Sequence, residues 1–417
     1  MNAAIQNTFE DIARFEQKRH AFERGELFEE DFVASRLQLG VYAQRQSGRF
    51  TVRIRVPGGK LARTQLSRIA ELGRRYSDKA FVNVTKRRDI QFHFVALENV
   101  SSLLRGLAEV GLTTREACGN TICNITTCVL TGVCLVGYVD VQAYVNAIVQ
   151  YFLRNPDCQH LPRKFRISFS ACEQDCAQTL IHDLTFVATK KNERFGFRVY
   201  VGGGLGHKLR EAVELEAFID EGNILSVVEA VVNLHNRNSD GSKHAKSRFS
   251  DLVERVEAGE LRELYKRELK RIEHAVPVIA VGENWREPDE KLIFDFRDLN
   301  EVVPQRQTRN VAIPLKLSRG ELSFQTIEQL DALLSRYGLQ EIRLTQNQNL
   351  VLPNVVESQL QDLVKKLERI GLHVPNAEND VVVCPGTWTC RLAIADVREV
   401  GKVLSGLHAP SKTIAIY

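Results

Sequence analysis

The sequence predicts an α+β chain built on an internal, pseudo-two-fold repeat. Two observations carry that fold class. The same strand and helix landmarks return roughly 260 residues later, and each copy is followed by a segment that opens on a cysteine. In the first copy Gln44-Arg45-Gln46 precedes a strand-like TVRIRV at 51–56, a helical TQLSRIAELGRRY ending at Tyr76, a strand ending at Thr85 and a helix ending at Gly111-Leu112. The second copy has Gln305-Arg306-Gln307, VAIPLKL at 311–317, QTIEQLDALLSRY ending at Tyr337, a strand ending at Thr345, and Gly371-Leu372. The offset is 261 residues as far as the tyrosines and 260 at Thr345 and Gly371, so a one-residue deletion separates the copies. Strands of period 2 alternating with helices of period 3.6 form a small sandwich whose helices cover one face of a sheet.

The following segments begin at Cys118-Gly119-Asn120 and at Cys384-Pro385-Gly386; the second stops at Tyr417. Between the halves lie a polar stretch, NRNSDGSKHAKSR at 236–248, and a charged run at 249–274, which reads as a solvated connecting helix. At the N-terminus, MNAAIQNTFEDIARFEQKRH carries acids among its apolar residues, the pattern of an amphipathic helix and not of a targeting segment. The longest nearly apolar stretch, 127–139, contains two glycines and falls short of the roughly 20 residues that span a bilayer. No membrane span is expected.

With 44% hydrophobic and 26% charged residues over 417 positions, the chain has the composition of a folded, cytoplasmic protein. Its 56 basic and 52 acidic side chains give a formal charge of +4, too mild for a nucleic-acid partner but compatible with a local basic pocket for a small anion. The single Met is Met1, which excludes His/Met haem ligation. Nine cysteines, an odd number, argue against a disulfide framework and for metal-binding or reactive thiols, with buried inert thiols as the remainder.

Spacing sorts these thiols. Cys128-x5-Cys134-x37-Cys172-x3-Cys176 supplies the four thiolates usual for an iron–sulfur cluster, and zinc competes less well because its sites favour closer spacing within each pair. Cys384-x5-Cys390 repeats the first pair without a second one. Register aligns SKTIAIY at 411–417 with KFRISFS at 164–170, just before Cys172. Cys118, Cys123 and Cys158 have no comparable spacing, and Cys158 reads as a packing residue.

These residues resemble the sirohaem- and 4Fe-4S-containing nitrite and sulfite reductases over nearly the whole chain. The most specific stretch is Ser170-Ala171-Cys172-x3-Cys176-x6-Asp183-Leu184-Thr185-Phe186, similar to the family's Gly-Cys-x3-Cys signature with its acid at fixed distance; Ala171 stands where the family has Gly. Thr85-Lys86-Arg87-Arg88-Asp89-Ile90-Gln91-Phe92-His93, Ala117-Cys118-Gly119-Asn120, Leu161-Pro162-Arg163-Lys164-Phe165-Arg166 and Gly202-Gly203-Gly204-Leu205-Gly206 support it. The resemblance implies a pseudo-two-fold repeat of ferredoxin-like half domains plus sirohaem and iron–sulfur α/β domains, the second repeat incomplete. Its boundaries are a helical extension at 1–43, a half domain at 44–113, a sirohaem/4Fe-4S domain at 114–235, a charged helical linker at 236–303, a second half domain at 304–375 and a truncated domain at 376–417.

The resemblance also implies roles. Arg87, Lys164 and Arg166 stand where the family places the bases that hold the anion, and reduction of an oxyanion needs such positive charge and acidic hydrogens for the departing oxygen. Arg88, Gln91, His93, Asn120, Gly203, Gly204, Gln346 and Asn349 are the expected cofactor-binding residues; consecutive glycine amides can cradle sirohaem carboxylates, and a plain tight turn explains the glycine run equally. Cys128, Cys134, Cys172, Cys176, Cys384 and Cys390 are the expected metal ligands. A second base at Arg166 leans toward sulfite. Cys123 replaces a base usual in the family, and the loop Thr345-Gln346-Asn347-Gln348-Asn349, which faces the pseudo-symmetric position, contains none.

The implied function is six-electron reduction of sulfite to sulfide or nitrite to ammonia, fed by ferredoxin or a flavoprotein, with a second polypeptide as a candidate partner that completes the C-terminal half. The alternatives are a non-catalytic partner subunit or degenerate paralogue of such a reductase, and a precorrin-3B synthase-like enzyme of corrinoid biosynthesis.

Overall fold

Each copy of the repeat folds as a β-sheet covered by helices, and each sheet is finished by a strand lent from the other copy. The computed structural model describes residues 3–206, 208–240, 247–272, 276–279, 285–288, 299, 301–375, 381–404 and 414–416. Two compact units divide them, one formed by 1–118 with 298–417 and the other by 119–297.

The chain opens on helices α1 (Ala3–Glu23) and α2 (Glu29–Gln38). Then come strands β1 (Val41–Ala43), β2 (Arg49–Ile54) and β3 (Lys60–Ala62), helix α3 (Arg63–Tyr76), strands β4 (Phe81–Val84) and β5 (Ile90–Ala96), and helix α4 (Leu97–Ala108). Strand β2 ends two residues before the expected run because Arg55 and Val56 turn to other partners: Arg55 N–H bonds to Thr113 O and Val56 N–H to Asp89 Oδ1. In α3 the buried positions Leu66, Ile69, Ala70 and Gly73 follow helical periodicity, and Arg74 and Arg75 in the last turn complement the negative end of the helix dipole. The 1–43 segment is more than an appendage, since Ile12, Phe15 and Phe32 join the core of this unit.

The second unit carries β6 (Thr126–Thr127), α5 (Gln142–Phe152), β7 (Ile167–Ser170), β8 (Leu184–Lys191), β9 (Arg194–Val201), β10 (Gly204–Leu205), β11 (Leu209–Arg210) and β12 (Val213–Ile219). Helices α6 (Ile224–Asn238), α7 (Phe249–Arg255) and α8 (Ala258–Ile272) follow. The sheet order is β12-β9-β8-β7-β6, parallel from β6 to β8 and antiparallel beyond. The strands β7 and β8 are buried almost throughout, as expected where both faces are covered. Here the structure departs from the expected solvated linker. Phe249, Leu252 and Val253 of α7 and Leu261, Tyr265 and Ile272 of α8 are buried in this unit's core. A charged composition had masked an apolar stripe; residue 274, the expected end of the run, lies outside the described residues.

The chain then re-enters the first unit with β13 (Val303–Pro304), β14 (Asn310–Leu315), β15 (Glu321–Ser323), α9 (Phe324–Arg336), β16 (Glu341–Leu344), β17 (Leu350–Val356), α10 (Leu360–Arg369), β18 (Val381–Val383), α11 (Val397–Leu404) and β19 (Ile414–Ile416). Its sheets are ordered β1-β2-β5-β4-β15 and β13-β14-β17-β16-β3. Thus β15 completes the first copy and β3 the second, both antiparallel. The exchange places both copies in one hydrophobic core. The repeat survives in fine detail. The turns at 85–89 and 345–349 share a Thr N–H bond at 2.9 Å to the carbonyl four residues on, and Arg88 and Gln348 both adopt positive φ, at 58° and 62°. Among the described residues no helix is long and apolar enough to cross a membrane.

Candidate functional site

In the second unit, the parallel pair β6 and β7 delivers the first cysteines. Thr127 lies opposite Phe169, so Cys128 and the Ala171-Cys172 step leave the sheet at the same end. Cys128 N–H bonds to Phe169 O at 3.2 Å, and Ala171 N–H donates to the Cys128 sulfur at 3.4 Å. Cys128, Cys134 and Cys172 are buried and Cys176 is half-buried. Burial pushes the Cys172 thiol up to about 11, with the Cys134 thiol and the acids Glu173 and Asp175 adding to the rise. Ligation there would expel a proton, as thiolate ligation does generally. Among the described residues no group of three or more His, Cys, Asp or Glu side chains is gathered as a metal site. The donor chemistry and the common end of β6 and β7 fit a thiolate-held cluster.

The second Cys-x5-Cys turn lies in the first unit. The strands β18 and β19 pair in parallel with Val383 opposite Ile416, a copy of the β6 and β7 pairing, and Cys384 follows β18 as Cys128 follows β6. Cys390 N–H bonds to Gly386 O at 3.0 Å, as Cys134 N–H bonds to Leu130 O at 2.8 Å. The repeat landmark 44–46 holds this turn: Arg45 N–H donates to Thr389 O, Gln46 Nε2 to Trp388 O, and Arg391 Nε to Gln44 O. The Trp388 ring stacks on Phe81 and lies under the Arg398 guanidinium, 4.1 Å from its centroid.

Back in the second unit, the strand-like approach to β7 carries the bases. Phe165 N–H bonds to Thr121 O and Cys123 N–H to Phe165 O, which sets Cys123 beside Lys164. Lys164 is half-buried, and burial lowers its pKa; the nearby Cys123 thiol opposes this, whereas Arg166, Arg163 and Arg248 add to it. Arg166 is anchored through its N–H to Asp183 Oδ2 at 2.9 Å, which gives the signature acid a positioning duty. No acid forms an ion pair with Lys164 or Arg166 among the described residues. Asn120 is half-buried and accepts the Leu161 N–H through its backbone oxygen.

The glycine run closes this corner. A Cβ on Gly203 would stand 2.2 Å from Leu180 O and 2.8 Å from His182 O, so packing alone demands glycine there. Gly204 is looser, with Ser250 Oγ 3.5 Å from its Cβ position, and a Cβ on Gly206 would stand 3.3 Å from Arg248 Nη1. Arg248 is therefore a base of this corner that sequence reasoning assigned to the linker. The basic run at 243–248 was the only available signal, because its proximity to the glycines is set by α7 docking on the sheet.

In the first unit, several expected cofactor-binding residues make contacts within the fold. Arg88 is buried and donates to Gly58 O at 3.3 Å; Gln91 is buried with its amide oxygen facing Arg53 Nε and Nη2. His93 is buried, with Nδ1 at 3.0 Å from Thr51 Oγ1 and its ring edge on Trp388; burial drives its pKa down to about 3, helped by Arg398 and Arg53. Arg87 is half-buried at the 85–89 turn. In the matching turn Gln346 is half-buried, and Asn349 is buried with its Oδ1 accepting Leu317 N–H at 2.9 Å. That loop carries no base itself, and Lys316 and Arg319 line a cavity of about 510 Å³ beside Asn347 and Asn349.

Known proteins share the domain pattern of this chain. The nitrite and sulphite reductase 4Fe-4S domain matches residues 118–273, and the nitrite/sulfite reductase ferredoxin-like half domain matches 42–110 and 303–370. The ferredoxin–nitrite reductase of Arabidopsis thaliana, named as chloroplastic, is 26% identical over 95% of this chain and 68% of its own length. The assimilatory ferredoxin-dependent nitrite reductase of Haloferax mediterranei is 28% identical over 86% of this chain and 64% of its own. The chain thus spans about two thirds of the length of these relatives. The NirA protein of Mycobacterium tuberculosis shares the fold, with a TM-score of 0.81 at 23% identity, covering 99% of this chain and 80% of that one. The half domains and the 4Fe-4S domain define an oxidoreductase of the iron–sulfur class. The chain belongs to the nitrite and sulphite reductase family, and membership implies sirohaem and a 4Fe-4S cluster as cofactors.

Proposed function

We propose that the chain reduces a small oxyanion, nitrite or sulfite, by six electrons taken from ferredoxin or a flavoprotein. The observation that carries this reading is the corner of the second unit where Lys164, Arg166 and Arg248 converge and neither Lys164 nor Arg166 has an acid ion-pair partner among the described residues. Three cations brought together repel one another, Asp183 and Asp251 offset part of that repulsion at Arg248, and an oxyanion relieves more of it. Relatives named for nitrite support nitrite as substrate, and the second base at Arg166 supports sulfite.

In this reading Cys128, Cys134, Cys172 and Cys176 hold the cluster. Sirohaem and cluster, when bound, supply the electrons. Lys164 and Arg166 bind the anion, and the Lys164 ammonium donates a hydrogen bond, then a proton, to the oxygen that leaves as water. Arg87 is a further candidate base, and Asp183 positions Arg166 through its backbone. One observation favours the second reading, a non-catalytic partner or degenerate paralogue: Cys123 occupies the place of a base directly beside Lys164.

Anaerobic purification with an absorbance spectrum, iron and acid-labile sulfide assays, and turnover of each anion tests both. Sirohaem bands with cluster iron and turnover are expected, and Cys172→Ser or Cys176→Ser should remove cluster iron while Cys384→Ser retains it. Absence of both cofactors would overturn the reductase reading; full cofactor content without turnover would establish the second one.

A further inference from the structure

We propose that His235, in the last turn of α6, is the positioning residue of the basic corner, holding in one geometry the chain segments that carry Lys164, Arg166 and Arg248. This role rests on the reductase reading of that corner. His235 acts through other groups: the backbone of Arg163, and two phenylalanine rings that neighbour the bases along the chain.

The His235 side chain is buried within the second unit. Its Nε2 lies 3.0 Å from Arg163 O and its Nδ1 2.7 Å from Ser239 Oγ. A carbonyl oxygen only accepts, so Nε2 carries the proton and the Ser239 hydroxyl donates to the bare Nδ1. Ser239 N–H bonds back to His235 O at 3.1 Å, which ends the helix and keeps that hydroxyl on the ring. Burial drives the His235 pKa down to about 4, against the bond to Arg163 O, which raises it. The ring is therefore neutral at pH 7, with one tautomer and one donor aimed at Arg163.

The same ring packs beneath the bases. In the strand-like approach to β7 side chains alternate between faces, so Phe165 is buried while Lys164 and Arg166 on either side of it are half-buried. The His235 ring lies 5.7 Å from the Phe165 ring and 5.6 Å from that of Phe249, and the two phenylalanines are themselves 5.6 Å apart, edge on face. Phe249 directly follows Arg248, whose N–H bonds to Asp251 Oδ2 at 3.0 Å at the start of α7. One ring thus meets the chain next to each base: Lys164 between Arg163 and Phe165, Arg166 after Phe165, and Arg248 before Phe249. A third phenylalanine would serve packing alone at a lower desolvation cost. Histidine adds a donor to the carbonyl that immediately precedes Lys164, and mutually repelling cations need such restraint to stay in binding geometry.

Steady-state kinetics of the cofactor-loaded chain with nitrite and with sulfite, run on the parent, His235→Phe and His235→Gln beside thermal melts, tests the role. His235→Phe keeps the ring packing and removes the donor, so KM should rise ~10-fold with a smaller change in kcat, the pattern of a displaced binding group. His235→Gln places an amide N–H within reach of Arg163 O and should return KM to within ~3-fold of the parent. A role in folding alone lowers the melting temperature and the active fraction but leaves KM where it was. Unchanged KM in folded His235→Phe, or an equal rise in His235→Gln, overturns the positioning role. Should His235→Phe fail to fold, Ser239→Ala decides: loss of the hydroxyl that fixes the tautomer should raise KM ~3-fold, and an unchanged KM rejects the role. Absence of turnover of both anions by the cofactor-loaded parent overturns the reductase reading and this role with it, whereas parent turnover with KM unmoved by the variants overturns this role alone.

Discussion

Lys164 shows how one residue acquires its duty from its surroundings. Half-buried beside three guanidinium groups, its ammonium gives up its proton at lower pH than a free lysine, chiefly through burial. If it holds and protonates the anion, Lys164→Ala should lower turnover by on the order of 100-fold, as removal of an oxyanion donor does, with the cofactor spectrum unchanged. The charged form is the active one, so turnover should fall on the alkaline side, beginning below pH ~10.5. Lys164→Arg should move that limb upward; a pH–rate profile checks both. His93 poses the opposite case, a group kept neutral by burial. Its folded pKa of about 3 lies below the ordinary value of 6.5, so the unfolded chain binds the extra proton between these values. Its contribution is intact above pH 6.5 and is lost as pH falls toward about 3. Asp89, raised to about 6 mainly by burial, acts in the reverse sense: its contribution is present below its ordinary 3.8 and is lost as pH rises through about 6. Denaturant unfolding between pH 6.5 and 4.5 should show His93→Asn losing less stability than the parent, by up to about 1.4 kcal/mol per pH unit for one proton.

Among elements, helix packing is the firmest constraint. A Cβ on Gly73 of α3 would lie 2.2–2.9 Å from the ring of Phe324, the first residue of α9. Gly73→Ala should therefore destabilise the first unit by about 1–3 kcal/mol, the usual cost of overpacking. Phe324→Leu in the same chain should recover much of that loss, and thermal melts of the single and double variants report the coupling. Helices α7 and α8 show the limit of reading elements from charge. Their buried Leu261, Tyr265 and Ile272 sit at helical intervals that were present in the sequence, yet the dense Glu, Lys and Arg between them made the run resemble a solvated connector.

For the whole molecule, the exchange of β3 and β15 governs cooperativity. Without β15 the edge of β4 is unpaired, and without β3 the edge of β16 is unpaired. Residues 1–118 expressed alone should therefore fail to give a stable monomer, whereas co-expression with 298–417 should yield a folded pair; circular dichroism and size-exclusion chromatography distinguish these results. The 119–297 segment has its own sheet and core and should fold separately.

Much of this was legible along the chain. Repeat length, helix faces, the Cys-x5-Cys and Cys-x3-Cys spacings, and the Lys164 and Arg166 pair all reside in local order, because hydrophobic period and ligand spacing act over a few turns. The tertiary structure alone decided that the two copies trade strands and share one core, and that Arg248 stands over Gly206. It also showed that Arg88, Gln91 and His93 are held inside the first unit and that Lys316 borders a cavity. These depend on which surfaces meet across more than 30 residues of chain, and backbone pairing and burial of charge at such distances leave no periodic mark in the sequence.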